Sequence, residues 1–332
     1  TKIGLTDGLP RQPGVYLFRN RNNEVIYVGK ADNLRTRVRS YFYGDDRRRV
    51  GDMLRQLYRI EHRVTANSLE AEVTELRLIH SHRPRFNQRS RPPRRNLFVK
   101  LTNEPFPRFS QAHKFIPGSQ LWLGPFRTKQ AADLVIEALW AGTSIRRCRG
   151  TPGSRSGKCA PAQMGVALCP CAGDLDRARY LEVIAEIVQA SDRAPAHLLE
   201  PLELKMRRLA GEQRFEEAAR MRDRHRALAR ALERRLAWQA LIQGGRIELE
   251  SLQGDRVVVE HGRLIAAWGA GTPTPLLPLD DPAPPLPVPV SVEAAEEAQL
   301  IWKWMTSGLV AVIDATGPVA LPASPVPHLS AA

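Results

Sequence analysis

The sequence predicts an α+β multidomain protein, and three observations carry that reading. Two β-rich runs, Val15-Tyr16-Leu17-Phe18 and Val25-Ile26-Tyr27-Val28, flank the turn-forming Arg21-Asn22-Asn23 and are followed by helical patterns. The chain has 332 residues, more than the ~100–200 of one ordinary domain. Aromatic usage is segregated, with five of six tyrosines at or before Tyr58 and all six tryptophans at or after Trp122. Segments of such different composition read as separate modules.

The elements follow in order. After the hairpin a helix is expected from about Asn33 to Phe42, a second from Arg48 to Leu57, and a short strand through Ile60–Val64. Asn67 with Glu70 three residues later forms a capping box, and Leu69, Val73, Leu76 and Ile79 give one apolar stripe, so a helix begins there and ends at Pro84. Residues 83–95 hold six arginines and three prolines with no acid, a cationic strap that self-repels unless an anion binds it. Between Asn96 and Gly173 lie mixed strands, an Ala-rich helix near Lys129–Leu139, and all four cysteines. A helical stretch covers Leu175–Ala190, and two amphipathic helices run from Ala196 to about Leu236, joined near Gly211–Arg214. Ile247–Leu252, Arg256–Glu260 and Leu264–Trp268 suggest a small antiparallel sheet with a tight turn at His261-Gly262. Eight prolines between Pro273 and Pro289 make a semi-rigid connector, and a helix (Val292–Met305) and a strand (Leu309–Ile313) follow. The expected domains are therefore residues 1–98, 99–194, 195–236 and 237–332, the last a small α+β domain with a Pro-rich insert.

Charge narrows the function classes. The formal net charge is +14, and residues 1–100 alone carry 22 basic against 10 acidic side chains. Arginine dominates that surplus, and its planar fork matches phosphate, so nucleic acid is the first partner class. Residues 236–332 carry 4 basic and 10 acidic residues, a poor surface for DNA. No apolar run reaches the ~18 residues of a membrane span, the N-terminus is no signal peptide, and four cysteines are too few for a disulfide scaffold. The expected location is the cytoplasm. The missing initiator Met suits a piece of a longer protein.

The most informative string is Gly14-Val15-Tyr16, then Tyr27-Val28-Gly29-Lys30-Ala31, Leu34, Arg37 and Tyr41-Phe42, with Glu75 on a later helix and Arg83-Pro84-Arg85-Phe86-Asn87 beyond it. In this order the residues resemble a GIY-YIG nuclease domain, and more narrowly the N-terminal endonuclease module of the UvrC family, over about residues 11–100. The resemblance implies a GIY-YIG α/β nuclease domain. It makes Tyr16 the general base or the group that orients the attacking water, with Tyr27 and Tyr41 lining the pocket and Asn87 tethering the strap. Arg37 would bind the scissile phosphate. A base role for Tyr16 requires a depressed pKa, which Lys30 and Arg37 would supply. Glu75 offers one hard carboxylate, enough for a Mg²⁺ or Mn²⁺ that keeps several waters. Glu70 and Glu72 stay open as solvated helix charges. Arg35, Arg39, Arg83, Arg85, Arg89, Arg91, Arg94 and Arg95 are the expected DNA contacts.

The likeness extends further along the chain. Cys148, Cys159, Cys169 and Cys171 are similar to the cysteine-rich linker of UvrC proteins, where a [4Fe-4S] cluster is expected, although Cys169-Pro170-Cys171 is tighter than that pattern. Zn²⁺ is the alternative occupant. Phe215-Glu216-Glu217-Ala218-Ala219 looks like the UVR motif, a helical hairpin that pairs with a UvrB-like helicase, with Phe215, Ala218 and Ala219 as the contact. No second nuclease core or helix-hairpin-helix module is recognisable, so the architecture is closer to short, single-nuclease UvrC homologues (Cho-like) or to the nuclease half of an exonuclease–UvrC fusion. The resemblance implies a metal-dependent endonuclease of nucleotide excision repair that makes one incision, 3′ of a lesion in damaged duplex DNA, after recruitment by UvrB. Its rivals are a non-catalytic DNA-binding adaptor that recruits UvrB and a GIY-YIG nuclease acting on branched DNA.

Overall fold

The computed structural model describes residues 2–43, 48–87, 95–150, 157–172, 175–269, 286–319 and 326–329. Most of the Pro-rich connector, and Arg89, Arg91 and Arg94 of the strap, lie outside the described residues. The chain runs β1 (Gly14–Arg19), β2 (Val25–Ala31), α1 (Leu34–Ser40), α2 (Arg48–Gln56), β3 (Arg59–Val64) and α3 (Ser68–His82). Next come β4 (Leu97–Leu101), β5 (Phe109–Ala112), β6 (Trp122–Phe126), α4 (Lys129–Gly142) and the single turn α5 (Ala160–Gln163). Three longer helices follow: α6 (Arg177–Arg193), α7 (Ala196–Gly211) and α8 (Phe215–Gly244). The last elements are β7 (Arg246–Ser251), β8 (Arg256–Glu260), β9 (Arg263–Trp268), α9 (Val292–Met305) and β10 (Val310–Ala315).

Two compact units result, each discontinuous in sequence. One holds Thr1–Pro92, Ala240–Pro285 and Glu293–Ala320; the other holds Pro93–Gln239, Leu286–Val292 and Leu321–Ala332. Segments near opposite ends of the chain thus share the first unit.

In the first unit β1 is the middle strand of an antiparallel sheet ordered β2-β1-β3. Covered on both faces, it is buried along nearly its whole length, which is why its run is apolar without clean alternation. Tyr16, Phe18 and Ile26 pack with Leu34 and Val38 of α1 and with Val50, Met53 and Leu57. Leu17 and Val28 pack with Ile79 of α3. Local signals place the helices: Asn33 accepts the Thr36 N–H at 3.0 Å and Asn67 accepts the Glu70 N–H at 2.9 Å. Glu70 completes its half of the cap one residue early, accepting from the Ala66 N–H at 2.6 Å, and is fully buried. It is therefore no solvated charge. Glu72 stays partly exposed and pairs with Lys30. A second antiparallel sheet in this unit is ordered β10-β7-β8-β9, with His261 and Gly262 both at positive φ in the turn.

In the second unit an antiparallel sheet ordered β5-β4-β6 packs with α4, and Leu139, Tyr180, Ile184, Leu202, Leu228 and Leu232 continue one core through α6, α7 and α8. Helix α8 runs to Gly244, past Leu236, because Ala237, Trp238, Ala240 and Leu241 prolong its buried stripe. Among the described residues no helix is long and apolar enough to cross a membrane.

Candidate active site

The site grows from the β1–β2 hairpin. Register sets Tyr16 opposite Gly29, and Gly29 leaves the space the phenol fills. A Cβ at Gly29 would lie 2.5 Å from Tyr16 Cζ and 3.0 Å from Cε2, with the hydroxyl oxygen closer still. Gly14 answers a similar demand, since a Cβ there would stand 2.9 Å from Leu34 Cδ1 and nearer yet to the Arg63 carbonyl oxygen. Both glycines are thus required by close approach rather than by turn geometry.

Tyr41 joins the phenols. Its hydroxyl hydrogen-bonds the Tyr16 hydroxyl at 2.8 Å and the Tyr27 hydroxyl at 3.1 Å. The Arg37 guanidinium carbon lies 5.2 Å from the centroid of the Tyr41 ring. Burial pushes the Tyr16 phenol well above its ordinary value, and Tyr41 and Tyr27 push it further, while Arg37 opposes them and loses. The Tyr27 phenol is raised too, by burial first, then by Tyr41 and by the Glu75 carboxylate. This corrects the expected depression of Tyr16. Lys30 does not supply it, because its ammonium pairs with Glu72 Oε1 at 2.5 Å and acts on Glu75.

β2 is an edge strand, so its outward backbone groups are free to take side-chain partners. Asn87 takes Val28, accepting its N–H at 2.9 Å and donating to its carbonyl at 2.7 Å. Two residues on, the Lys30 N–H hydrogen-bonds Glu75, which α3 brings to this edge. Burial raises the half-buried Glu75 carboxyl, against the opposing Lys30 charge and N–H, and Glu72 adds to the rise. A hard carboxylate on which burial weighs, beside phenol oxygens and able to leave most ligand positions to water and phosphate, fits a small divalent cation. The structure therefore brings together Tyr16, Tyr27, Tyr41, Arg37, Lys30 and Glu75, with Asn87 bracing β2.

The arginines divide. Arg37, Arg83 and Arg85 are exposed and Arg35 is half-buried, whereas Arg39 is spent on Asp7 and Thr6, both at 3.1 Å. Arg95 is exposed in the other unit. Sequence reasoning missed Arg49, which donates to the Phe86 carbonyl and lines an open pocket of about 390 Å³ with Asp52, Gln56, Arg85 and Phe86. Its signal was the adjacent Arg48-Arg49 opening α2.

In the second unit the four thiols are near enough to act on one another. Burial raises the Cys159 thiol, and Cys169 and Cys148 act on it in the same direction. Burial also opposes ionisation of Cys169, but hydrogen bonds from the Cys159 and Cys171 backbone and thiols outweigh it and hold that thiol low. Yet no group of three or more His, Cys, Asp or Glu among the described residues could hold a metal ion. The expected iron–sulfur or zinc site is not supported by this geometry. At the head of α8, Phe215 is 67% exposed, Ala218 is buried and Ala219 half-buried.

Comparison with known proteins finds a family over the part of the chain that holds this site. Residues 12–88 match the family described as the UvrC-like GIY-YIG domain. The chain is 35% identical over 341 residues to a Mycobacterium tuberculosis (strain CDC 1551 / Oshkosh) protein named as a bifunctional exonuclease/endonuclease, an alignment covering 97% of this chain and 52% of that protein. It is 35% identical over 228 residues to UvrABC system protein C of Moorella thermoacetica, covering 68% of this chain and 37% of the relative. The chain thus spans about half or less of the length of these relatives. A solved structure, the GIY-YIG N-terminal endonuclease domain of UvrC from Thermotoga maritima bound to magnesium as its catalytic divalent cation, is 36% identical. That likeness covers 26% of this chain and 96% of the domain, with a TM-score of 0.24.

Proposed function

The chain belongs to the UvrC-like GIY-YIG family, and from that premise we propose that it is a metal-dependent DNA endonuclease of nucleotide excision repair. The observation that carries the reading is the convergence of three phenol hydroxyls, one arginine and one carboxylate at the β2 edge. Glu75 would hold a Mg²⁺ or Mn²⁺ ion, which would supply Lewis-acid charge to the scissile phosphate. Arg37 presents its exposed fork to the scissile phosphate. Burial weighs against the Tyr16 phenolate, so Tyr16 acts by orienting the attacking water, whose proton passes to solvent. Tyr41 holds Tyr16 and Tyr27 in that arrangement, and Asn87 stiffens the strand that bears Tyr27.

The cut falls 3′ of the lesion, and a UvrB-like helicase recruits the chain through exposed Phe215 with half-buried Ala219 beside it, while buried Ala218 packs inward. An apolar side chain 67% exposed next to a small-residue step supports that docking role. Purified protein with Mg²⁺ and UvrB, given a damaged duplex, is expected to make one nick 3′ of the lesion, and Glu75→Ala none. An intact duplex, or equal nicking by Glu75→Ala, overturns the proposal.

A further inference from the structure

Helix α3 is held on more than one side. It packs on β2 and β1 and also on β9. Arg77 lies two residues beyond Glu75, roughly 200° round the helix, and so faces away from it. Its side chain is only 14% exposed. Its Nε donates to Glu297 Oε2 at 3.0 Å, and its Nη2 donates to Glu297 Oε1 at 2.5 Å and to the Leu264 carbonyl at 2.8 Å. Glu297, on α9, is fully buried. It also accepts the Leu264 N–H at 2.8 Å, and Arg263 Nη2 stands 3.4 Å from it. One turn along α3, buried His80 faces Glu293 at 3.7 Å and Glu296 at 3.4 Å. Before the helix starts, Gly269 passes so close to Ala66 that a Cβ would lie 3.0 Å from its carbonyl oxygen.

A buried, fully hydrogen-bonded ion pair adds little net stability, because desolvation offsets most of its attraction, but it leaves its two elements one relative position. Here one of those elements carries Glu75. A metal-binding carboxylate must be held to within about 0.5 Å, and burial already weighs against its charged form. Small rotations of α3 would move Glu75 relative to the phenols and the Lys30 N–H.

We propose that Glu297 is a positioning residue for Glu75: through Arg77 it locks α3, so that the segment holding β7 to β10 and α9 braces the nuclease site from behind. The effect on nicking rests on the endonuclease reading; the effect on metal affinity does not.

The test uses the full chain with Glu297→Gln, and with the double variant Arg77→Met/Glu297→Met, which removes both charges and keeps the packing volume. Mn²⁺ binding is measured by electron paramagnetic resonance, with Glu75→Ala as the reference for a lost site, together with hydrogen exchange along α3 and single-turnover nicking across a Mg²⁺ titration. Expected are Mn²⁺ affinity weakened about tenfold, faster exchange in α3 with β1 and β2 unchanged, and nicking that recovers at saturating Mg²⁺ while DNA affinity stays within about twofold. Saturating Mg²⁺ would also rescue a variant that merely loosened the fold, but that variant would speed exchange in β1 and β2 as well. Either variant, folded, binding Mn²⁺ as tightly as wild type overturns the proposal, as does Mn²⁺ binding that ignores Glu75. If the wild type binds Mn²⁺ without nicking DNA, the endonuclease reading falls and the brace stands or falls on the affinities alone.

Discussion

Replacing Gly29 by alanine tests the central geometry most directly. The new Cβ would lie 2.5 Å from Tyr16 Cζ. Carbon atoms in ordinary contact sit about 3.5–4.0 Å apart, so the ring must retreat by roughly 1 Å. It has nowhere open to go, because Tyr16 is 1% exposed and its ring centroid lies 5.4 Å from Phe18, 6.2 Å from Tyr27 and 6.2 Å from Tyr41. Forcing such an overlap into a packed core costs about 1–3 kcal/mol of stability. The same shift breaks the 2.8 Å bond between the Tyr16 and Tyr41 hydroxyls. A reacting group displaced by about 1 Å can cost on the order of 100-fold in rate. Urea melts, anisotropy with a labelled duplex and single-turnover nicking at matched folded fraction read the three effects separately. DNA affinity should hardly change. Gly51→Ala is the control: no atom lies within 4 Å of its Cβ position, and an alanine inside α2 should stabilise by roughly 0.5–1 kcal/mol. Because Gly29 makes room for the phenol, the rate losses of Gly29→Ala and Tyr16→Phe should not add. Nicking by Gly29→Ala within about threefold of wild type would refute the reasoning.

Three further outcomes follow from the same coordinates. Burial raises the Glu75 carboxyl above 4.5, so the folded chain binds this proton more readily than the unfolded chain, and the contribution present at low pH is lost as pH rises through the raised value. Glu75→Gln should therefore melt higher than wild type at pH 7.5 in EDTA while losing Mn²⁺ binding, and a lower melting temperature for the variant would contradict this. Asn87→Ala removes both bonds to Val28, so urea melts should show a loss of about 1–3 kcal/mol, with a loss under about 0.5 contrary to the account. Arg85→Ala should lower the salt slope of DNA binding by about one, while Arg39→Ala, whose fork is held by Asp7 and Thr6, should leave it unchanged. Equal slopes for the two variants would contradict that division.

Much of the nuclease unit was legible because its signals are local. The hairpin is announced by two β-rich runs around Asn22-Asn23, α1 by Asn33, α3 by Asn67 and its stripe, and α9 begins and ends where its pattern does. The residues of the candidate site were legible through a resemblance in their order, not through spacing alone. Three features were not legible. The expected sign of the Tyr16 shift was wrong because two nearby cations were counted while burial, which outweighs Arg37, was not. The burial of Glu70 was not legible because a helix period assigns a face but says nothing of what covers it. What the four cysteines hold was not legible either, because Cys169-Pro170-Cys171 is tighter than the pattern they resemble.

The sequence by itself determined which segments become strands and helices, where the positive charge lies, and which side chains are competent for phosphodiester chemistry. Turn chemistry, caps and periodicity act over a few residues, so they survive being read along a line. Only the tertiary structure decided what those side chains experience. It covered Tyr16, which weighs against its phenolate, and it set Lys30 on Glu72 rather than on a tyrosine. It also brought Glu297 onto Arg77 across 220 positions. Desolvation and ion pairing depend on which distant surface closes over a group, and nothing in the local pattern specifies that surface.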